Sequence, residues 1–299
     1  YKEFGNSRRA WMGVKSMATA YLGPKGTFSE DAALAHAGPD AELIPLSSIP
    51  ALTAAVESGQ ADDAVLPIEN SIEGSIHTTL DLLIHDTPLR VNAELVIPVR
   101  LFLITVPGAT MDDIQTVTTH SNPLGQSRRF LERVLPNARQ VAALSTAAAV
   151  QQVMSGGDKS VAAIGTERAA EQFGASILAR DIQDVKTNVT RFVVVGKSDA
   201  PRTGKDKTSV AFTMDADVPG SLHATLTPFA KAGVQLTKIE SRPTKAWLGE
   251  YVFLVDFLGH REDARIAPIL DELRDYCATF KVLGSYPQFP LEGFRSLGE

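Results

Sequence analysis

The sequence has very little cysteine, since Cys277 is the only one among 299 residues. An internal disulfide is therefore impossible, no cysteine cluster for structural zinc exists, and we expect the chain to act in the reducing cytoplasm. Long apolar runs are missing as well, because stretches such as residues 101–107 are far shorter than the roughly 20 residues that span a bilayer. The sequence thus predicts no membrane partner.

An excess of basic charge is also absent, because 29 Lys and Arg face 35 Asp and Glu and the formal net charge is −6. Nucleic acids bind clustered Lys and Arg, so we expect no nucleic-acid partner. The six histidines include no pair at the i, i+4 spacing of a helical zinc site. Neither a glycine-rich nucleotide motif nor a G-x-S-x-G nucleophile elbow follows a predicted strand. These observations predict no metal, no nucleotide cofactor and no covalent nucleophile.

The composition that is present, with 44% hydrophobic and 21% charged residues, is that of a globular protein with room for two or three cores. Residues 1–17 include Arg8, Arg9 and Lys15 but no long apolar run, so we expect a disordered extension rather than a secretory signal. From Ala18 onward, short apolar runs alternate with amphipathic stretches. This alternation predicts layers of strands and helices.

The first predicted strand, residues 18–22, ends in a turn that can begin a helix. The turn, residues 23–26, is rich in glycine, and Thr27 and Glu30 follow at the spacing of a capping box. We therefore expect the Thr27 side chain to cap a helix that runs toward His36.

A second turn of this kind follows the predicted strand over residues 63–67. Asn70 stands three positions before Glu73, and apolar residues then recur at helical spacing. We expect a helix that begins near Asn70 and buries one apolar face. That face comprises Ile72, Ile76, Leu80 and Leu83.

Later predicted strands end at similar turns. Helix N-termini attract anions, and although capping alone explains any single turn, their joint occurrence predicts a small anionic ligand. The later turns are Ser121 or Asn122 before a helix to Pro136, Ser145 before a helix over 146–154, residues 165–166 between a strand over 161–164 and a helix through Phe173, and the mouth of a strand over 190–196, where Thr190 and Arg191 lie.

The C-terminal third has a different pattern. Residues 198–207 are polar and predict a linker, and residues 208–299 predict a separate domain of order βαββαβ, which is typical of a ferredoxin-like fold. We expect Cys277 to lie in a helix of this domain as a small buried hydrophobe. The expected elements are strands over 208–214, 234–241, 250–258 and 280–286 and helices over 221–232 and 263–276.

Six short motifs, in order, resemble those of the prephenate dehydratase family over nearly the whole chain from Ala18. A single motif is weak, but six in the right order followed by a βαββαβ segment are specific. The third motif departs from the usual Ser-His-Pro because Pro123 is displaced, which leaves the roles of His120 and Ser121 open. The six are residues 23–29, 67–71 with 74–75, 119–126, 190–192, and, as in the ACT regulatory domain of this family, 220–222 and 240–243.

The resemblance implies an α/β catalytic domain over residues 18–197 with two lobes like those of type 2 periplasmic binding proteins. Lobe 1 would comprise about residues 18–97 and 188–197, and lobe 2 about residues 98–187, with the active site in the cleft between them. The ACT domain would follow from residue 208.

The resemblance also implies the conversion of prephenate to phenylpyruvate, water and carbon dioxide, a reaction that aromatisation drives without cofactor or metal. Thr190 would donate a hydrogen bond to the departing hydroxyl, and Arg191 would bind a substrate carboxylate, although strand alternation points them to opposite faces. Glu69 remains open between a general acid and a buried hydrogen-bonding group. Thr27, Asn70, Ser71, Thr119 and Gln126 would complete the substrate site.

Regulation by L-phenylalanine is implied as well, in a homodimer or homotetramer. Two alternatives stay open: arogenate dehydratase, and a non-catalytic protein that binds an amino or keto acid. The residues expected to bind phenylalanine are Gly220, Ser221, Leu222, Glu240, Ser241, Arg242 and Pro243.

Overall fold

The computed structural model describes residues 17–215, 218–245 and 249–290. The expected N-terminal extension, apart from Met17, and the last nine residues of the expected regulatory domain lie outside this part of the chain. The described residues form two compact units. Unit 1 holds residues 17–76, 96–192 and 290, and unit 2 holds residues 77–95 and 193–289.

The first sheet contains three strands of unit 1 that pair in parallel, over residues 18–22, 42–46 and 63–70. The apolar runs predict the first and the third of these strands, whereas the strand over residues 42–46 was not predicted. Its strand order is β2-β1-β3-β11-β5, and β4 pairs with the end of β3. The strands β5 and β11 run through the boundaries between the units along the chain. The elements are β1 (Ala18–Leu22), α1 (Phe28–Ala37), β2 (Glu42–Leu46), α2 (Ile49–Ser58), β3 (Asp63–Asn70), β4 (Gly74–Ser75), β5 (Arg90–Pro98) and β11 (Val189–Gly196).

The second sheet lies wholly in unit 1 and has the order β10-β6-β9-β7-β8. The chain enters it after β5 and returns to the first sheet with β11, so the two lobes are joined by two crossings. This mixed α/β architecture confirms the predicted fold class. Its elements are β6 (Phe102–Thr105), β7 (Thr116–Thr119), α4 (Ser121–Gln126), α5 (Arg128–Val134), β8 (Arg139–Ala142), α6 (Thr146–Gly156), β9 (Val161–Gly165), α7 (Glu167–Phe173) and β10 (Ser176–Ala179).

Unit 2 contains the predicted βαββαβ segment as a four-stranded antiparallel sheet of order β13-β14-β12-β15. Its core is rich in phenylalanine, with Phe229 tilted against Phe257 at a centroid distance of 4.9 Å. The elements are β12 (Asp206–Met214), α8 (Ser221–Lys231), β13 (Leu236–Pro243), β14 (Tyr251–Leu258), α9 (Ala267–Asp275) and β15 (Cys277–Pro287).

Cys277 differs from the prediction, because it is the first residue of β15 and not part of α9. Its side chain packs partly buried against the core of unit 2. Burial raises the pKa of the thiol to about 11, so it is protonated at neutral pH. A small, unreactive hydrophobic side chain, as expected for Cys277, is therefore also compatible with its position at the start of a strand.

Residues 77–95 belong to unit 2, although the rest of this unit begins only at residue 193. They form α3 (His77–Asp81), a π-helical turn (Leu82–Asp86) and most of β5. Lys281 Nζ donates to three carbonyl oxygens at the end of this turn, at 2.7, 3.1 and 2.8 Å. Because a Cβ on Gly284 would lie 2.1 Å from the Val91 oxygen, only glycine permits this approach.

Two ion pairs join the same segment to the sheet of unit 2. Lys207 Nζ lies 2.8 and 2.9 Å from the two carboxylate oxygens of Glu94, and both side chains are almost fully buried. Arg242 Nη2 lies 2.7 Å from Asp81 Oδ1. Hydrogen bonds from Lys245 and Arg242 lower the pKa of Asp81 despite the opposing effect of burial.

Candidate functional site

The candidate site begins where β3 ends beside the start of β11, all within unit 1. The backbone N–H of Ser71 donates to the Val189 oxygen at 2.9 Å. Asn70 Nδ2 lies 3.0 Å from Thr190 Oγ1 and 2.9 Å from Asn188 Oδ1. Two predicted site residues, Asn70 and Thr190, are therefore in direct contact although 120 positions separate them.

The helix predicted to begin at Asn70 is wrong. Asn70 Oδ1 accepts from the N–H groups of Ile72 and Glu73 at 2.9 and 3.0 Å, but this turn leads into β4. Gly74, at φ 84°, has a left-handed conformation that ends any helix there. The helix begins only at His77, and Ile72 is exposed. The prediction failed because the residue types that cap helices also cap turns.

Asn188 is the site residue that the sequence analysis missed. It is 1% exposed, and its Nδ2 donates to Gln126 Oε1 at 3.2 Å. Gln126 Nε2 in turn lies 3.3 Å from Glu73 Oε1. The sequence feature that could have identified Asn188 is its position two residues before Thr190, because residues two positions apart in an extended chain lie on the same side. Asn188 therefore connects the predicted site residues of both lobes.

Arg191 and Glu69 form a second pair on the same two strands. Arg191 Nη1 lies 3.8 Å from Glu69 Oε2, and the Arg191 side chain is 14% exposed. Because side chains alternate along strands, this pair is separate from the contact between Asn70 and Thr190. Thr190 and Arg191 thus contact different partners, as the alternation of side chains along a strand predicts.

The glycine-rich turn adopts a different cap from the one predicted. Thr27 occupies the N-cap position of α1 without a capping hydrogen bond from its side chain. Its hydroxyl instead donates to the Pro24 and Leu22 oxygens at 3.1 and 3.3 Å. Glu30 Oε2 accepts from the Gly26 N–H at 2.5 Å, so the carboxylate reaches one residue further back than in a capping box.

Gly26 brings the starts of three helices together across the two lobes. Its oxygen accepts from Thr166 Oγ1 at 2.8 Å, and Thr166 caps α7. A Cβ at this position, where φ is 83°, would lie 3.1 Å from Ala169 Cβ and 3.4 Å from Ala147 Cβ, at the starts of α7 and α6. The small residue therefore lets the turn before α1 reach both helix N-termini.

Charged and phenolic groups surround this junction. Arg168 pairs with Asp31, and burial nevertheless raises the pKa of Asp31 because it outweighs the opposing effect of the guanidinium. Burial also raises the pKa of Tyr21, with a smaller contribution from Glu30. The Tyr21 side chain is therefore neutral at physiological pH.

The residues of the third motif, 119–126, have different roles in the structure. His120, not Ser121 or Asn122, is the N-cap of α4, and its Nδ1 accepts from the Asn122 N–H at 3.4 Å. Two helices, α4 and α5, replace the single predicted helix. Thr119 is fully buried and its hydroxyl donates to the Ile164 oxygen at 2.7 Å.

The described residues also line an open cavity of about 310 Å³ on the Gln126 side of the cluster. Glu73, Gln126 and Asn188 are among the residues that line it, whereas Thr190 and Arg191 are not.

No helix within the described ranges is long and apolar enough to cross a membrane.

The residues of the two predicted phenylalanine motifs lie in unit 2. Gly220, at φ 93°, precedes α8, and Ser221 Oγ donates to the Val218 oxygen at 2.8 Å. Glu240 contacts Lys238 at 3.2 Å and Arg242 at 3.5 Å. The remaining motif residues are Leu222, which is half-buried, and Ser241 and Pro243, which are exposed on β13.

Comparison with known proteins identifies two matching family models, described as prephenate dehydratase over residues 19–200 and ACT domain over residues 208–275. The chain is 42% identical over 284 residues to a prephenate dehydratase of Mycolicibacterium vanbaalenii, covering 90% of each. It is 41% identical to a bifunctional chorismate mutase/prephenate dehydratase of Aquifex aeolicus, covering 93% of this chain and 75% of the relative.

Solved structures are similar over comparable lengths. A prephenate dehydratase from Arthrobacter aurescens in complex with L-Phe has 39% identity and a TM-score of 0.83, with coverage of 91% of this chain and 90% of the other. A structure described as a quorum quenching acylase has 31% identity and a TM-score of 0.81, with coverage of 92% and 99%.

Proposed function

Because this chain belongs to the prephenate dehydratase family, we propose that the cluster around Thr190 is where it converts prephenate to phenylpyruvate. In this reaction the ring carboxylate leaves as carbon dioxide and its electrons expel the ring hydroxyl as the ring becomes aromatic. The protein must orient two carboxylates and assist the departure of hydroxide. A hydrogen-bond donor and a fixed cation are the groups that this chemistry requires.

Thr190 is the proposed donor to the departing hydroxyl. The observation that carries this assignment is the 3.0 Å contact in which Thr190 Oγ1 accepts from Asn70 Nδ2. A hydroxyl has one proton, and since its oxygen is already an acceptor here, the proton can be donated to another group. A threonine is too weak an acid for early proton transfer, so the bond strengthens as negative charge develops on the leaving oxygen.

Arg191 is the proposed partner of a substrate carboxylate, held by Glu69 at 3.8 Å. Its planar guanidinium can bind a carboxylate through two parallel hydrogen bonds. Thr27, Asn70, Ser71 and Gln126 remain proposed as surrounding polar groups. Contact between Thr119 and substrate also stays a prediction, and it requires the Thr119 hydroxyl to leave the Ile164 oxygen.

Arg191→Lys should raise KM by roughly tenfold while kcat falls by less, because the ammonium keeps the charge but loses the second hydrogen bond. Steady-state kinetics with prephenate measure both constants. Arg139→Lys, at an exposed position of β8, is the matched control and should leave KM unchanged. An unaltered KM in Arg191→Lys would place the carboxylate site elsewhere.

L-Phenylalanine is the proposed effector. Support comes from the ACT domain match and from the L-Phe complex of the Arthrobacter aurescens protein. The effector carboxylate would lie at the start of α8, after Gly220, where N–H groups lack helical partners. Glu240, Ser241 and Pro243 would supply the second side of the site, whereas Arg242 is engaged by Asp81 of its own chain.

We further propose a cytoplasmic homodimer or homotetramer. The edge strand β13 and its neighbour β14 expose Ile239 and Tyr251 at 49% and 47%, a surface suited to a second copy of the chain. A phenylalanine site formed by residues 220–222 of one protomer and 240–243 of its partner would couple assembly to regulation.

The decisive experiment offers the purified chain prephenate and arogenate separately and detects phenylpyruvate and phenylalanine. We expect phenylpyruvate from prephenate, and we expect added L-phenylalanine to inhibit its formation. Faster turnover of arogenate would identify the alternative dehydratase. Binding of either compound without product would favour the non-catalytic alternative.

A further inference from the structure

The direction of the hydrogen bonds around Thr190 is determined at the two ends of a series of contacts, where one end can only donate and the other can only accept. At one end are the backbone N–H groups of Ile72 and Glu73, which can only donate. They require the oxygen of the Asn70 side chain to face them. The Asn70 nitrogen must therefore face Asn188 and Thr190, and it also lies 3.2 Å from the Val189 oxygen.

The same logic continues into lobe 2. Since Asn70 donates to Asn188, the acceptor there is the Asn188 oxygen, and the Asn188 nitrogen donates to Gln126 Oε1. The Gln126 nitrogen then faces the carboxylate of Glu73, which accepts. The series thus ends on an obligatory acceptor, and every side-chain amide has one consistent orientation.

Thr190 is the point where this series meets the proposed chemistry. The Asn70 nitrogen can only donate, so Thr190 Oγ1 is the acceptor in their contact, which shares the two amide protons with the Asn188 and Val189 oxygens. The hydroxyl proton of Thr190 is thereby directed away from Asn70. Hydrogen bonds in a chain polarise one another, and a hydroxyl whose oxygen accepts a hydrogen bond is a stronger donor.

We propose that Asn70 is a positioning residue that directs the Thr190 proton toward the departing hydroxyl, and that Asn188 holds the Asn70 amide in this orientation. The inference rests on the proposed role of Thr190 as donor. It differs from a role of Asn70 in binding substrate, because a positioning residue acts on kcat through Thr190 and not on KM through its own contact.

The test compares Asn70→Asp alone and in combination with Thr190→Ala. Aspartate keeps an oxygen for the N–H groups of Ile72 and Glu73 but presents a second acceptor to Thr190, so the hydroxyl turns inward. Breaking that charged hydrogen bond before the hydroxyl can act should lower kcat by about tenfold to a hundredfold. In the Thr190→Ala background the same change should alter kcat by less than about threefold, because no hydroxyl remains to be oriented.

Asn188→Ala should behave in the same way, with a smaller loss of kcat that disappears in the Thr190→Ala background. Asn137→Asp, in the exposed turn after α5, is the matched control for the added charge. Thermal unfolding of each variant checks that the fold is retained. A destabilised variant that still shows non-additive kinetics supports the inference, because global damage would lower activity in both backgrounds.

Additive losses in the double variant, or a raised KM with unchanged kcat in Asn70→Asp, would overturn the inference and leave Thr190 as the donor. Unchanged turnover in Thr190→Ala would overturn both the donor assignment and the inference. A wild-type chain that does not turn over prephenate would refute the proposed function itself.

Discussion

Thr190→Ala should lower kcat by about a hundredfold to a thousandfold while KM changes by no more than a few fold. The reason is that the Thr190 hydroxyl meets substantial charge only as the ring hydroxyl departs, so the lost hydrogen bond belongs mainly to the transition state. Steady-state production of phenylpyruvate from prephenate measures the effect.

Two variants serve as controls for that result. Thr190→Ser keeps a hydroxyl that can accept from Asn70 at the same place and should retain most of the turnover. Thr190→Val keeps the shape without the hydroxyl and should match Thr190→Ala. If Thr190→Val instead turned over at nearly the wild-type rate, a different group would have to assist the departing hydroxide.

Lys207→Met should lower the free energy of unfolding by roughly 3–5 kcal/mol. Glu94 has a side chain only 2% exposed, and in the variant it loses the ammonium that lies 2.8 Å away. Removing one partner leaves a carboxylate whose desolvation is no longer offset by that charge. Urea unfolding followed by circular dichroism measures the change.

The double variant Lys207→Met/Glu94→Gln is the internal control. It removes both charges, so most of the lost stability should return. Arg128→Met provides a surface comparison, because its ion pair with Glu132 is highly exposed and should contribute less than about 1 kcal/mol. Equal stability of Lys207→Met and wild type would mean that the buried pair contributes nothing to folding.

Local patterns predicted most elements of this fold. Ser145, for example, caps α6 with its side chain as expected, because an extended N-cap residue followed by an apolar periodic run needs only neighbouring residues to form a helix. The strands around Thr190 and the βαββαβ order of unit 2 follow from similar short-range signals.

Residues 70–76 could not be predicted in this way. Asn70 and the apolar spacing favour a helix, but the Ile76 N–H donates to the Ile68 oxygen and draws the segment back onto β3. That choice depends on pairing across a turn and on the left-handed Gly74. Tertiary pairing therefore decided between two structures that the local sequence permits equally.

The candidate site shows the same limit. Thr190 and Arg191 could be selected from their place at a strand mouth, but Asn188 acquires its role only through partners such as Asn70, 118 positions away. The engagement of Arg242 by Asp81 depends on a contact between residues 161 positions apart. The periodicity of apolar residues in a sequence carries no information about contacts between residues so far apart along the chain.

The attachment of residues 77–95 to unit 2 limits how this protein can exchange parts with its relatives. The prephenate dehydratase match runs from residue 19 to 200 and the ACT domain match begins at residue 208, so a recombination event between them would transfer the whole ACT domain match but not residues 77–95. Such a transfer would separate Glu94 from Lys207 and Asp81 from Arg242. It would also set a new side chain or backbone against Val91 in place of Gly284. Inheritance of the regulatory domain should therefore be coupled to inheritance of residues 77–95, so the heritable module is discontinuous in the gene.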